Sequence, residues 1–221
     1  MHPIVKICCI SSREEALQAI DAGASALGLV SKMPSGPGVI SDESIAEIAA
    51  YVPPTISTFL LTSRQDADSI IEQHNGCRTS TIQLVDRVAV SDLVKLRSRL
   101  PGISLVQVRH VTGLESSEEA CSIAPYVDAL LLESGNQGSA VKELGGTGRV
   151  HDWTLSRQIR ERCGKPLFLA GGLNSANVRA AMRAVNPFGL DLCGGVRTEG
   201  KLDTVKLRDF FDAVRNASKQ F

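Results

Sequence analysis

The sequence lacks an excess of either charge. Its 24 Lys and Arg residues balance 24 Asp and Glu, and no basic run concentrates the positive half, so neither nucleic acid nor an anionic membrane is an expected partner. It also lacks any apolar stretch near the roughly 20 residues that a spanning helix requires, and its N-terminus carries no apolar signal core. A soluble, cytoplasmic protein is expected. Cysteine is too scarce for a disulfide scaffold, at six in 221 residues. Cys8, Cys9, Cys121, Cys163 and Cys193 all sit in or beside apolar segments, and reduced thiols are the expectation. His2, His74 and His151 fall at no ligand spacing with one another or with the cysteines, so no metal is expected. No strand-to-helix turn reads Gly-x-Gly-x-x-Gly, and hydride chemistry finds no support. No cofactor is expected.

What is present is a regular alternation. Apolar residues make up 43% of the chain, enough for a substantial core. Eight short β-branched or Leu-rich runs recur at Ile4–Ile10, Ala26–Val30, Thr55–Leu61, Ser80–Val85, Ile103–Val108, Val127–Leu132, Pro166–Ala170 and Gly189–Cys193. A helical segment follows each, and candidate caps stand at Ser12, Ser41, Ser63, Ser116, Asp152 and Asn174. About 28 residues per unit accommodate one strand, one helix and two short loops, with nothing left for a second domain. The expected architecture is α/β: a single (β/α)8 TIM barrel over residues 1–221, with a doubly wound open sheet as the alternative.

A closed barrel builds its active site on the loops after the strands, often with phosphate held by the loops after strands seven and eight. Gly171-Gly172 follows the seventh run and Gly194-Gly195 the eighth. One glycine pair can merely close a tight turn; two at these loops point to an anion held by backbone N–H groups. Strand alternation turns Lys6 and Cys8 inward together, with Cys8 nearer the mouth, either as a base or as a small buried apolar side chain. Glu133 closes the sixth strand at the same rim, where desolvation would raise its pKa and suit it to act as an acid; a solvated loop Glu is the alternative. Asp191 on strand eight is expected to pair with Lys6 across the seam. Gln83, Arg109 and His110, near the ends of strands four and five, are candidate substrate contacts, as are Lys6 and Asp191 beside their pairing, and His110 is equally an ordinary rim residue.

Four segments carry a resemblance that spans nearly the whole chain. They are Val5-Lys6-Ile7-Cys8, Gly145-Gly146-Thr147-Gly148 with Asp152-Trp153, Ala170-Gly171-Gly172-Leu173-Asn174 through Asn177-Val178, and Pro187-Phe188 through Asp191 with Gly195-Val196 and Gly200-Lys201-x-Asp203. Together they resemble the phosphoribosylanthranilate isomerase family of tryptophan biosynthesis. The resemblance implies a cofactor-free Amadori rearrangement of an N-linked phosphoribosylamine to a 1-amino-1-deoxyribulose phosphate. An acid protonates the ring oxygen, the furanose opens to an iminium, and a base removes the C2 proton. It implies Cys8 as base and Glu133 as acid, and adds Gly146 and Thr147 to the phosphate site.

The chain also departs from the family pattern. Glu133 stands where the family has Asp, and a misplacement of about 1 Å can cost roughly 100-fold in rate. Gly36-Pro37-Gly38-Val39 replaces Ser-Pro-Arg-Tyr, Val85 replaces a histidine, Cys9 a glycine and Gly194 a serine. The sugar-phosphate end thus matches and the aglycone end differs. Three readings remain: the family reaction, a paralogue acting on another phosphosugar, and a non-catalytic phosphometabolite-binding barrel. The expected partner is a phosphorylated sugar, and the expected state a monomer or homodimer. Because the aglycone end differs, turnover of phosphoribosylanthranilate is expected to be weak, and Gly38→Arg with Glu133→Asp to raise it.

Overall fold

The computed structural model describes residues 3–113, 115–134 and 150–219. Eight parallel strands close on themselves: β1 (Ile4–Ile7), β2 (Ala26–Val30), β3 (Ser57–Thr62), β4 (Thr81–Leu84), β5 (Ser104–His110), β6 (Ala129–Glu133), β7 (Leu167–Leu169) and β8 (Gly189–Leu192). Because β8 pairs back onto β1, the open-sheet alternative is excluded and the fold is the (β/α)8 barrel. Helices α1 (Arg13–Ala22), α2 (Asp42–Tyr51), α3 (Ala67–Cys77), α4 (Val90–Arg99), α5 (Glu115–Ile123), α6 (Trp153–Cys163), α7 (Val178–Val185) and α8 (Thr204–Ser218) alternate with the strands. A small hairpin of β9 (Arg197–Thr198) and β10 (Lys201–Leu202) precedes α8. Among the described residues no helix is long and apolar enough to cross a membrane.

Three of the six expected caps hold: the Ser12, Ser41 and Asp152 side chains each accept a backbone N–H of the helix that follows. The others fall elsewhere. Asp66 rather than Ser63 caps α3, and Asn177 rather than Asn174 precedes α7. Ser116 lies inside α5, where its hydroxyl accepts the Thr112 N–H at 3.1 Å. One thiol expectation also fails, since Cys121 and Cys163 form a disulfide, with Cα atoms 4.9 Å apart. The physical reason is tertiary: α5 and α6 pack side by side around β6. Six cysteines allow 15 full pairings, and spacing alone selects none of them.

The apolar core has two layers. The outer one packs strand residues such as Ile7, Leu29, Leu60 and Leu84 against helix residues such as Ile45, Ile70, Leu93 and Phe210. The inner one fills the barrel with Phe59, Leu61, Val106, Val108, Leu131 and Phe168. Two glycines make room for larger neighbours. A Cβ at Gly189 would lie 2.3 Å from the Phe168 ring, and one at Gly28 would lie 2.8 Å from Cys8 Sγ and 3.1 Å from Lys6 Cε.

The charged pair expected inside the barrel lies at its closing seam. Lys6 and Asp191 are register partners on β1 and β8, and the Lys6 ammonium donates to Asp191 Oδ1 at 2.9 Å. Lys6 has no solvent exposure, and its ammonium also lies 5.2 Å from the centre of the Phe59 ring. Burial alone would lower its pKa, but Asp191 and the neighbouring thiols Cys8 and Cys9 outweigh that, and the net direction is upward. Lys6 therefore stays charged throughout the neutral range. Removing one partner of such a pair strands the other, at a cost of about 3–5 kcal/mol. Lys6→Met is accordingly expected to lower unfolding stability by about that amount in denaturant titration, with the Lys6→Met/Asp191→Leu double variant recovering much of the loss.

Candidate active site

At the C-terminal end of the strands a cavity of about 430 Å³ opens. Cys8 follows β1, Glu133 ends β6, and Gln83 and Asp191 project inward from β4 and β8; all four line the cavity. Lys6 does not line it, and lies beneath, held by Asp191. Gln83 is buried, and its Oε1 meets no donor among the described residues, so it offers an unspent hydrogen-bond acceptor at the cavity wall. Arg109 and His110 do not line the cavity. With Val106 and Val108 turned into the barrel, strand alternation sends Arg109 to the helix side. There it is buried near Arg87 and Glu119, and burial and Arg87 hold its pKa below the ordinary arginine value. His110 is in register with Glu133 on the neighbouring strand.

Both glycine pairs line the cavity from the loops after β7 and β8. Gly171 and Gly172 have φ of 87° and 63°, a region open to glycine and costly for other residues. The Asn177 and Asn174 side-chain amides donate to the Gly172 carbonyl at 2.9 and 3.3 Å, fixing that loop. Gly195 packs against it so closely that a Cβ would lie 2.0 Å from Leu173 O. Among the described residues no protein acceptor takes the N–H groups of Gly171, Gly172, Gly194 or Gly195. Unsatisfied N–H groups from two adjoining loops are the kind of donors that an anion can use. Gly146 and Thr147 lie outside the described residues.

A family model described as N-(5'-phosphoribosyl)anthranilate (PRA) isomerase matches residues 5–213. The chain belongs to the PRA isomerase family. It is an isomerase by that membership, an intramolecular oxidoreductase. It is 33% identical to the N-(5'-phosphoribosyl)anthranilate isomerase of Methanosarcina acetivorans, over 96% of this chain and 92% of that one. Among solved structures, the phosphoribosyl anthranilate isomerase from Thermotoga maritima matches with TM-score 0.83 and 28% identity, covering 98% of this chain and all of that one. A phosphoribosyl anthranilate isomerase in complex with reduced 1-(o-carboxyphenylamino)-1-deoxyribulose 5-phosphate matches with TM-score 0.81 and 26% identity, over 98% and 100% of the two chains.

Two more thiols reach the isomerase cavity. Cys9 and Cys193 both line it. Cys9 lies beyond the last residue of β1, and its left-handed backbone (φ 63°) breaks the strand alternation that would have turned it outward. Cys193 is two residues beyond inward-facing Asp191, a spacing that could have marked it from sequence. A hydrogen bond from Cys9 holds the Cys193 thiol below its ordinary pKa, with help from the Arg197 guanidinium, and raises that of Cys9. Arg197 also escaped sequence reasoning, because its role comes from tertiary contacts alone. Its Nη2 donates to Cys9 O at 2.6 Å and Cys8 O at 3.4 Å, and its Nη1 to Glu15 Oε1 at 2.8 Å. Glu15 in turn accepts from the Ser11 and Leu202 N–H groups at 3.0 and 3.1 Å. The network binds the β9–β10 hairpin to the segment that carries Cys8.

Burial raises the Glu15 pKa, but the Arg197 guanidinium and the two N–H donors prevail and hold the carboxyl below the usual carboxylate range. A depressed folded-state pKa stabilises above the unfolded value of about 4.3 and ceases to do so as pH falls through the folded value. Glu15→Gln should therefore reduce stability at pH 7 while leaving a smaller further loss than the native chain shows as pH falls below about 4.3, as read from denaturant midpoints on either side of that pH.

Proposed function

We propose that this chain catalyses the Amadori rearrangement of N-(5'-phosphoribosyl)anthranilate, with Cys8 as base and Glu133 as acid. The observation that carries this reading is the arrangement of one cavity: a thiol and a carboxyl group on its wall, and unspent backbone N–H groups of two glycine loops at its side. The loop N–H groups hold the phosphate and so place the sugar. Glu133 gives its proton to the ring oxygen, the C1–O bond breaks, and the nitrogen lone pair forms the iminium. Cys8 then takes the C2 proton, producing an enolamine that tautomerises to the ketose. Gln83 supports the reading as an acceptor for a substrate N–H or O–H. The sugar's carbonyl equivalent moves from C1 to C2, so oxidation and reduction balance within one molecule and no co-reactant is consumed.

Turnover is followed through loss of anthranilate fluorescence. Cys8→Ala is expected to lower kcat by about 10²–10⁴-fold with KM little changed, because proton transfer is lost while the phosphate contacts remain. Cys193 supplies the discriminating comparison, since it lines the same cavity and the Cys9 hydrogen bond and the Arg197 guanidinium hold its thiol below the ordinary cysteine value. A smaller loss in Cys193→Ala than in Cys8→Ala fits Cys8 as base; the reverse order assigns that role to Cys193.

A further inference from the structure

Of the four free cysteines among the described residues, three line one cavity: Cys8, Cys9 and Cys193. The fourth, Cys77, is buried at the end of α3. Cys9 joins the group through its backbone. Of the other non-glycine residues with positive φ among the described residues, Arg78 and Asn186 end helices, where this conformation is common. Cys9 ends no helix, and its φ of 63° turns a thiol to the cavity wall that strand alternation would have hidden. Backbone outliers of this kind gather at functional sites.

The thiols differ in what they offer. Cys193 is half-buried and open to the cavity, whereas Cys9 is buried. The Cys9 thiol donates a hydrogen bond to Cys193 Sγ, which sets one sulfur against the other. Arg197 lies beside both: its Nη2 donates to Cys9 O at 2.6 Å, and its charge acts on the Cys193 thiol. The Cys9 hydrogen bond and Arg197 hold Cys193 below the ordinary cysteine pKa, and the thiolate is the reactive form. Cys8 cannot bridge to Cys9 in its place. Neighbouring Cα atoms stand about 3.8 Å apart across a trans peptide, while a disulfide needs about 4.4–6.8 Å. An accessible, activated sulfur beside a second, sheltered one is the arrangement that reversible thiol oxidation uses.

We propose that Cys193 and Cys9 form a thiol-oxidation site that takes a peroxide, Cys193 being the sulfur that reacts with it and Cys9 the one that closes the disulfide. The Cys193 thiolate attacks one peroxide oxygen, the O–O bond breaks, and the other oxygen leaves as hydroxide, which takes up the Cys193 proton to become water. A sulfenic acid remains. The Cys9 sulfur attacks the sulfenic sulfur, the S–S bond forms, the S–O bond breaks, and hydroxide leaves with the Cys9 proton as a second water. Two thiols are oxidised and one peroxide is reduced. The bond would tie the segment after β1 to the loop of Gly194 and Gly195, both on the cavity wall. None of this depends on which reaction the cavity catalyses.

The test treats the whole protein with hydrogen peroxide at neutral pH, blocks the remaining thiols by alkylation, and maps the tryptic peptides by mass spectrometry. The expected product joins Ile7–Arg13, which holds Cys8 and Cys9, to Ala184–Arg197, which holds Cys193. The join should persist in Cys8→Ala and disappear in Cys9→Ala and Cys193→Ala. In Cys9→Ala the sulfenic acid should accumulate on Cys193, where dimedone traps it. Cys77 is the internal reference, since burial and the nearby Asp42 and Glu43 push its pKa up to about 12. Cys193 is expected to oxidise at least about 10-fold faster than Cys77, the effect of one pKa unit or more on thiolate content. A join that survives in Cys9→Ala, no join in the native chain, or equal rates at Cys193 and Cys77 would each overturn the proposal.

Discussion

A lysine with no solvent contact is tolerated in this barrel because Asp191 lies 2.9 Å away on the strand that closes it. The pair links β1 to β8 at a fixed register, and much of the site follows from that placement. Two residues beyond Lys6, the same inward face brings Cys8 to the cavity. Two residues beyond Asp191 it brings Cys193. Gly28 on the adjacent strand leaves space for both Lys6 and Cys8, where a Cβ would meet each of them. A buried ion pair adds little net stability over an apolar substitute, but misplacing either charge is costly. Here the two charges are register partners on the strands that close the barrel.

Above that floor the cavity divides between backbone and side chains. On the β7 and β8 side, close loop packing and left-handed glycines leave N–H groups without protein acceptors, a surface suited to a phosphate of any phosphosugar. On the β1 and β2 side, Gly38 lies so close to Cys9 that a Cβ at position 38 would stand 2.5 Å from that of Cys9. Cys8 and Glu133 stand on the wall of the same space.

The barrel was legible because its signals are local. Each of the eight runs became a strand, with Ala26–Val30 matching to the residue and the others differing at their ends. Lys6, Cys8, Gln83, Glu133 and Asp191 could be placed because strand alternation turns such residues inward. The same alternation, counted back from Val106 and Val108, would have sent Arg109 outward. Cys9 escaped because a single left-handed residue ends the period-two pattern, and cysteine, unlike glycine or asparagine, does not advertise that conformation. Arg197, Glu15 and the Cys121–Cys163 bridge depend on contacts between segments 182 and 42 residues apart in sequence, which spacing does not encode. The close approach of Gly38 to Cys9 becomes visible only when both backbones are in place.

The central claim is that one cavity holds the phosphate on glycine loops and presents the sugar to Cys8 and Glu133. The most direct measurement is a crystal structure with reduced 1-(o-carboxyphenylamino)-1-deoxyribulose 5-phosphate. The account predicts the phosphate against the N–H groups of Gly171, Gly172, Gly194 and Gly195, with C2 beside Cys8 Sγ and Glu133 at hydrogen-bonding distance from the sugar. A phosphate bound away from both loops, or C2 out of reach of Cys8, would contradict it.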